Sequence, residues 1–313
     1  SDATDSLQGQ KNDKLKIEQE MIQKNIQLQS KTGQYDRAKM VGSGKTDSEK
    51  EDLLTQRRKL QAEFDKLSEL VAQEAENAGV PFQLGCGHLN PLLSLERVNR
   101  VKSFSPCALQ VILPDWIKTN NKETLKFLEK TASAAAPIGL VIYNPPHAKK
   151  KLLPEDYANI LMEGLPVVGC KTAGGDKEWY SKMNNLPKHF SYFIPGHFMV
   201  TGITQGAKGT YSNIACMHPK AVIKWYRMMH EEPERAQLIE KQLLLFFERE
   251  ILPLILEEGY CDVAIDKFLA SIGDWSMTGT RLRWPYSGID PERIINKRRK
   301  LNKYVPEFFK ELD

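Results

Sequence analysis

The chain has 313 residues, 41% hydrophobic and 27% charged, with 44 basic against 40 acidic side chains and a formal charge of +4. That composition predicts a soluble globular protein, one large α/β domain with an appendage, and the near balance of charge argues against a nucleic-acid partner. No apolar run reaches the roughly 18 residues a membrane helix needs, and the opening SDATDSLQGQKNDK lacks both an apolar signal core and an Arg-rich pattern, so no membrane partner and a cytoplasmic location are expected.

Residues 1–78 form the first segment. They are polar, rich in Gln and Lys, and nearly free of β-branched runs. Ile17, Met21, Ile22 and Ile26 share one helical face, which predicts a helix over 13–30. Leu53, Leu60 and Leu67 recur every seven residues, with Phe64, Leu70 and Val71 widening the stripe, which predicts a second helix over 48–77 with Asp47 or Ser48 as its N-cap. The two would form a helical hairpin. The joining loop holds GSGKT (42–46), which lacks the earlier glycine of a phosphate-binding loop, since Lys39 occupies that position. An exposed turn is expected there, not a nucleotide site.

From residue 79 to 218 short apolar runs alternate with helix-like stretches: VPFQLGCG (80–87), CALQVILP (107–114), PIGLVIYNPP (137–146), LPVVGCKT (165–172), FSYFIPG (190–196) and AKGTYSN (207–213). Strands spaced by helices predict βαβ crossovers and a parallel sheet, in which working residues gather at the C-terminal strand ends. Over 219–313 strand signals fade, and IEKQLLLFFEREILPLI and DVAIDKFLASIG read as amphipathic helices. Five cysteines without a CxxC pair indicate neither a disulfide framework nor a zinc site. The basic run Lys297 to Lys300 reads as a solvated helix face.

Lys171 ends an apolar run, Val167-Val168-Gly169-Cys170, and precedes a glycine loop. Burial at a strand end disfavours an ammonium, and a neutral amine can attack a ketone to form a Schiff base, whose iminium permits C–C cleavage or formation. Tyr143, at the end of the preceding strand, supplies a phenol that can donate and accept a proton at one point.

Tyr143 and Lys171, 28 residues apart, with YNPP, GCKTAGGD and GITQGAKGTYSN, resemble the dihydrodipicolinate synthase and N-acetylneuraminate lyase superfamily. The resemblance covers roughly residues 80–310 and implies an α/β fold, a (β/α)8 TIM barrel followed by a C-terminal helical region, in a homo-oligomer such as a dimer or tetramer. It implies a lyase or aldolase, or a related dehydratase, that uses a 2-oxo acid such as pyruvate. Lys171 would be the Schiff-base nucleophile, Tyr143 the proton relay, and no cofactor or metal would be required. Strands 1 and 2 of such a barrel are not recognisable in residues 1–78, and the family's Gly-Thr-Thr-Gly-Glu-type carboxylate loop has no match. Where the synthase branch has an arginine after YNxPS, this chain has Ala148, with His147, Lys149 and Lys150 as neighbouring substitutes. Trp116 in PDW stands where members often place an aromatic.

His88 in GCGHLN and His197 in PGHF fall at strand ends as pocket candidates, without the HxH or HxxxH spacing of a metal site. Gly196 and His197 match the family's seventh-strand pocket loop, and Ser212 and Asn213 end the last strand. Trp275, Trp284 and Tyr286 with Arg281 and Arg283 are expected to serve helix packing and subunit contact. The rival to the enzyme is a non-catalytic relative that lost its carboxylate loop and serves as a binding or scaffold protein.

Overall fold

The computed structural model describes residues 46–273, 275 and 278–306. The expected helix over 13–30 and all of GSGKT except Thr46 lie outside them. The chain divides into two compact units, at residues 1–140 and 141–313.

In the first unit, helix α1 (Asp47–Asn77) matches the predicted second helix. Its N-cap is Thr46, not Asp47 or Ser48. The Glu49 N–H donates to the Thr46 hydroxyl while the Thr46 N–H donates to the Glu49 carboxylate, at 3.2 and 2.7 Å. This reciprocal box satisfies two amides that a helix start leaves open. Ser68, Ala72 and Ala75 share a buried stripe, and Asp65 takes an ion pair from Arg100 at 3.4 Å. Strand β1 (Gln83–Gly85) pairs parallel with β2 (Ala108–Ile112), Gln83 opposite Ala108. Between them lies α2 (Pro91–Val101), capped by Asn90. Buried Arg97 of α2 donates to the Gly87 carbonyl at 2.6 Å and fixes the turn after β1. Helix α3 (Asn121–Ala135) starts on a second capping box, Asn120 with Glu123.

Strand β3 (Leu140–Asn144) spans the boundary, and the second unit continues with β4 (Val167–Thr172), β5 (Ser191–Pro195) and β6 (Gly209–Tyr211), adjacent in that order. Each predicted apolar run contains one of these six strands. Pairing is parallel between β4 and β5 and between β5 and β6, with Lys171 opposite Phe193 and Phe193 opposite Gly209. Helices α4 (Pro154–Met162), α5 (Lys177–Asn184) and α6 (Met199–Thr204) provide the crossovers. No strand precedes Gln83 among the described residues.

After β6 the chain is helical: α7 (Asn213–Met217), α8 (Pro219–Glu231), α9 (Pro233–Phe246), a π-helical segment (Phe247–Ile251), α10 (Leu252–Leu256), α11 (Asp262–Gly273) and α12 (Arg293–Tyr304). Met217, Trp225, Phe246, Phe268 and Leu269 belong to their shared core. Two contacts fix these helices against each other and against the crossover helix α6. Glu240, buried on α9, accepts the Val200 N–H at 2.7 Å and the Thr201 N–H and hydroxyl at the start of α6. Gly273 lies so close to the Met217 carbonyl that a β-carbon would collide with it, which seats the end of α11 on α7. The Trp275 indole donates to the Cys216 carbonyl at 2.6 Å, whereas Trp284 and Tyr286 are exposed.

Candidate active site

The second unit holds a cavity of 560 Å³ at the ends of β3, β4, β5 and β6, bounded on its other side by residues of α9, the π segment, α10 and α11. Tyr143 and Lys171, reached from adjacent strands, both line it. The Lys171 Nζ lies 4.2 Å from the centroid of the Tyr143 ring and 4.8 Å from that of Tyr211. Tyr211 is itself held edge-on by Phe193, the residue opposite Lys171, with ring centroids 5.5 Å apart.

The sequence around the lysine explains its placement. Gly169 passes so close to the Ser191 carbonyl that any β-carbon would overlap it, so the approach of β4 to β5 requires glycine. Beyond the lysine, Gly174 adopts φ +80°, a left-handed conformation that costs glycine little. Asp176 then caps α5 by accepting the Trp179 N–H at 2.8 Å. Asn144, next to Tyr143, clasps Leu152 through two hydrogen bonds of 2.8 and 3.1 Å and closes the loop after β3.

Charge states follow from burial and from two carboxylates on α11. Desolvation lowers the Lys171 pKa, and the Asp266 carboxylate opposes that shift. Desolvation raises the Tyr143 phenol, and the negative charges of Asp262 and Asp266 push it further up. Both effects favour a protonated phenol beside an amine that loses its proton more readily than an exposed lysine. Asp266 is itself raised by desolvation and by Asp262, against the pull of Lys171.

His197 lines the cavity, stacked on Phe247 at 5.3 Å and 20°, with Nδ1 3.1–3.2 Å from the Asn213 amide. Burial lowers its pKa, which favours the neutral ring. Asn213 lines the cavity too. Gly196 and Ser212 stand just behind: they are packed so tightly that a β-carbon on Gly196 would overlap Ser212, whose hydroxyl accepts the Ala215 N–H at 3.1 Å. Their contact holds His197 and Asn213 side by side. His147 is exposed in the loop after β3, and neither it nor Lys149 nor Lys150 lines the cavity. His88 lies in the first unit, where its Nδ1 accepts the Asn90 N–H at 2.9 Å. Trp116 is also in the first unit and exposed.

Sequence reasoning did not single out Tyr211, Phe247, Glu248, Asp262 or Asp266, all of which line the cavity. The pair Asp262 and Asp266 carried a signal, since a spacing of four puts both on one helix face. Nothing local to that helix shows which partner the face meets. Among the described residues no cluster of His, Cys, Asp and Glu could hold a metal ion, and no helix is long and apolar enough to cross a membrane.

No protein-family model matches the chain. A 4-hydroxy-tetrahydrodipicolinate synthase from Methanospirillum hungatei is 26% identical over 168 residues, 53% of this chain and 57% of that protein, so the match spans little more than half of the relative's length. Among solved structures, a prophage protein of the dihydrodipicolinic acid synthase family from E. coli K12, in complex with pyruvate, superimposes with a TM-score of 0.63 at 15% identity, over 77% of this chain and 81% of that one. A sialic acid aldolase from Ruminococcus gnavus gives 0.62 at 15% identity, over 82% of each chain. In sequence over about half of its length, and in fold over most of it, the chain resembles the dihydrodipicolinate synthase and N-acetylneuraminate lyase superfamily.

Proposed function

We propose that the protein is a lyase of the class I aldolase type, working in a (β/α)8 framework, and that Lys171 forms a Schiff base with a 2-oxo acid of the pyruvate type. The observation that carries this reading is the position of the Lys171 amine at the cavity wall, against the rings of both Tyr143 and Tyr211. The E. coli structural neighbour was solved with pyruvate, which supports the choice of substrate class.

In this reading the neutral Lys171 amine attacks the substrate's C2 carbonyl. The carbinolamine then expels water, with Tyr143 donating the proton that the departing hydroxyl needs. The resulting iminium accepts the electron pair of the C3–C4 bond when that bond breaks. The C4 hydroxyl gives its proton to the Tyr143 phenolate left by the dehydration and becomes an aldehyde, leaving an enamine on Lys171. Protonation at C3 and addition of water release the shortened 2-oxo acid and restore the amine. Tyr143 suits both proton positions, since its raised pKa keeps the phenol protonated until a strong base forms beside it. Thr172 and Asn213 bring polar groups to the same cavity, and among the described residues they would hold the 2-oxo acid's carboxylate.

The test is reduction with borohydride in the presence of pyruvate, followed by peptide mapping. A single stable adduct on Lys171, lost in Lys171→Arg, is expected, because a guanidinium keeps its proton and does not attack. Folded protein that yields no adduct with any 2-oxo acid would point instead to a non-catalytic binding role.

A further inference from the structure

Charge on the cavity wall bears on what the substrate carries beyond its carbonyl. Among the described residues Lys171 is the one lysine that lines the cavity, and no arginine joins it. His197 is shifted toward its neutral form. Three acidic residues line the same cavity: Asp262 and Asp266 from α11, and Glu248 from the π segment. Asp262 and Glu248 are exposed and Asp266 is half-buried, and of the three it is Asp266 whose charge acts on the lysine. No described residue donates a hydrogen bond to the Asp266 carboxylate or forms an ion pair with it, while its charge acts on both Lys171 and Tyr143. Once Lys171 becomes an iminium its positive charge serves the reacting carbon, and the outer wall is left with an excess of acceptors.

We propose that this cavity selects carbonyl substrates whose distal part is rich in hydrogen-bond donors, hydroxyl or cationic, and discriminates against those bearing a second carboxylate or a phosphate there. The inference rests on the Schiff-base reading of Lys171. A distal anion would meet Asp262, Asp266 and Glu248 with no lysine or arginine to pair with, and like charges brought together without a counter-ion are costly in a partly desolvated site. Hydroxyl or guanidinium donors would instead satisfy the acceptors. The substrate's own C1 carboxylate is common to all 2-oxo acids and does not enter the discrimination.

The experiment compares rates of borohydride-trapped labelling of the whole protein by four 2-oxo acids: pyruvate as reference, 2-oxopentanoate, 2-oxoglutarate, and 5-guanidino-2-oxopentanoate. With each rate divided by that of pyruvate, the guanidino compound is expected to exceed 2-oxoglutarate by about tenfold or more, with 2-oxopentanoate between them. Raising the ionic strength should compress this order in the unaltered protein, a readout that needs no variant. The double substitution Asp262→Asn with Asp266→Asn should bring the two charged compounds within about threefold of each other. If pyruvate labels Lys171 but 2-oxoglutarate labels it as fast as the guanidino compound, the discrimination is refuted and the Schiff-base reading stands. If pyruvate leaves Lys171 unlabelled, both fall.

Discussion

The Lys171 amine lies over the face of the Tyr143 ring, 4.2 Å from its centroid, and no hydrogen bond joins it to the phenol oxygen. The two groups are therefore neighbours without a direct hydrogen bond between them. A bound substrate or a water must bridge them before a proton can move. The ring and the hydroxyl then have separable roles: the face packs against the lysine and the hydroxyl handles the proton.

Tyr143→Phe keeps the ring and removes only the oxygen. This variant should still form the trapped pyruvate adduct on Lys171, more slowly because dehydration of the carbinolamine loses its proton donor, while turnover, which uses the hydroxyl at several proton steps, falls further, by about 100- to 10,000-fold, the range for losing a positioned acid or base. Single-turnover labelling set beside steady-state rates checks it. Labelling lost to the same degree as turnover would confine the hydroxyl's role to imine formation and refute its part in the later C–C bond step.

Gly169 sets the approach of β4 to β5 two residues before the lysine. Its missing side chain faces the Ser191 carbonyl, a backbone atom that cannot rotate away. Gly169→Ala should cost about 1–3 kcal/mol in stability, as overpacking does in a close-packed interior. It should also weaken labelling of Lys171 by displacing the strand that carries it. Urea unfolding beside the labelling assay measures both, and an alanine variant as stable as the parent would refute the steric reading.

Glu240 ties α9 to the start of α6 by accepting two backbone N–H groups and a hydroxyl. Replacing it with alanine leaves the Val200 and Thr201 amides without their acceptor, at a cost of about 1–3 kcal/mol for each buried group that stays unsatisfied. Glu240→Gln keeps one acceptor oxygen and should recover part of the loss. Equal denaturation midpoints for the alanine and glutamine variants would show that water replaces the carboxylate freely.

Local signals were enough for the strands and for the principal pair. Each apolar run contains its strand because a sheet covered by helices needs continuous Val, Ile and Leu, and the positions of Tyr143 and Lys171 at strand ends follow from those runs. The cap of α1 was legible and passed over: Thr46 to Glu49 is the S/T-x-x-E box, but Asp47 and Ser48 are also good caps, and the reciprocal bond decides between them. The π segment Phe247–Ile251 has the same apolar pattern as an ordinary helix, so its extra turn width does not show in the sequence. His88 and His147 are not among the residues that line the cavity, for a different reason. Each follows a strand as expected, yet His88 turns back to its own helix cap and His147 sits on the exposed loop that Asn144 clasps. Placement of Asp262 and Asp266 depends on how α11 packs on α7, a contact between segments that no local pattern encodes.

That placement sets the pH dependence. Imine formation needs the neutral amine, so at fixed pyruvate its rate should rise with pH through the Lys171 pKa. Burial lowers this pKa, and the Asp266 carboxylate, by stabilising the ammonium, holds it higher than burial alone would. Asp266→Asn removes that support, so the rise should move to lower pH. The Tyr143 phenol moves the same way, because the negative charge of Asp266 helps to hold its proton in place. If the falling limb at high pH reflects loss of that proton, it should also shift down, and the whole bell-shaped profile of turnover should move toward acid. Asp262 still acts on the phenol in this variant, so the shift of the falling limb should be partial and Asp262→Asn should extend it. Labelling and turnover recorded across the neutral and alkaline range measure the two limbs separately. A rise that moved to higher pH in Asp266→Asn would show that this carboxylate does not act on the lysine as the geometry requires.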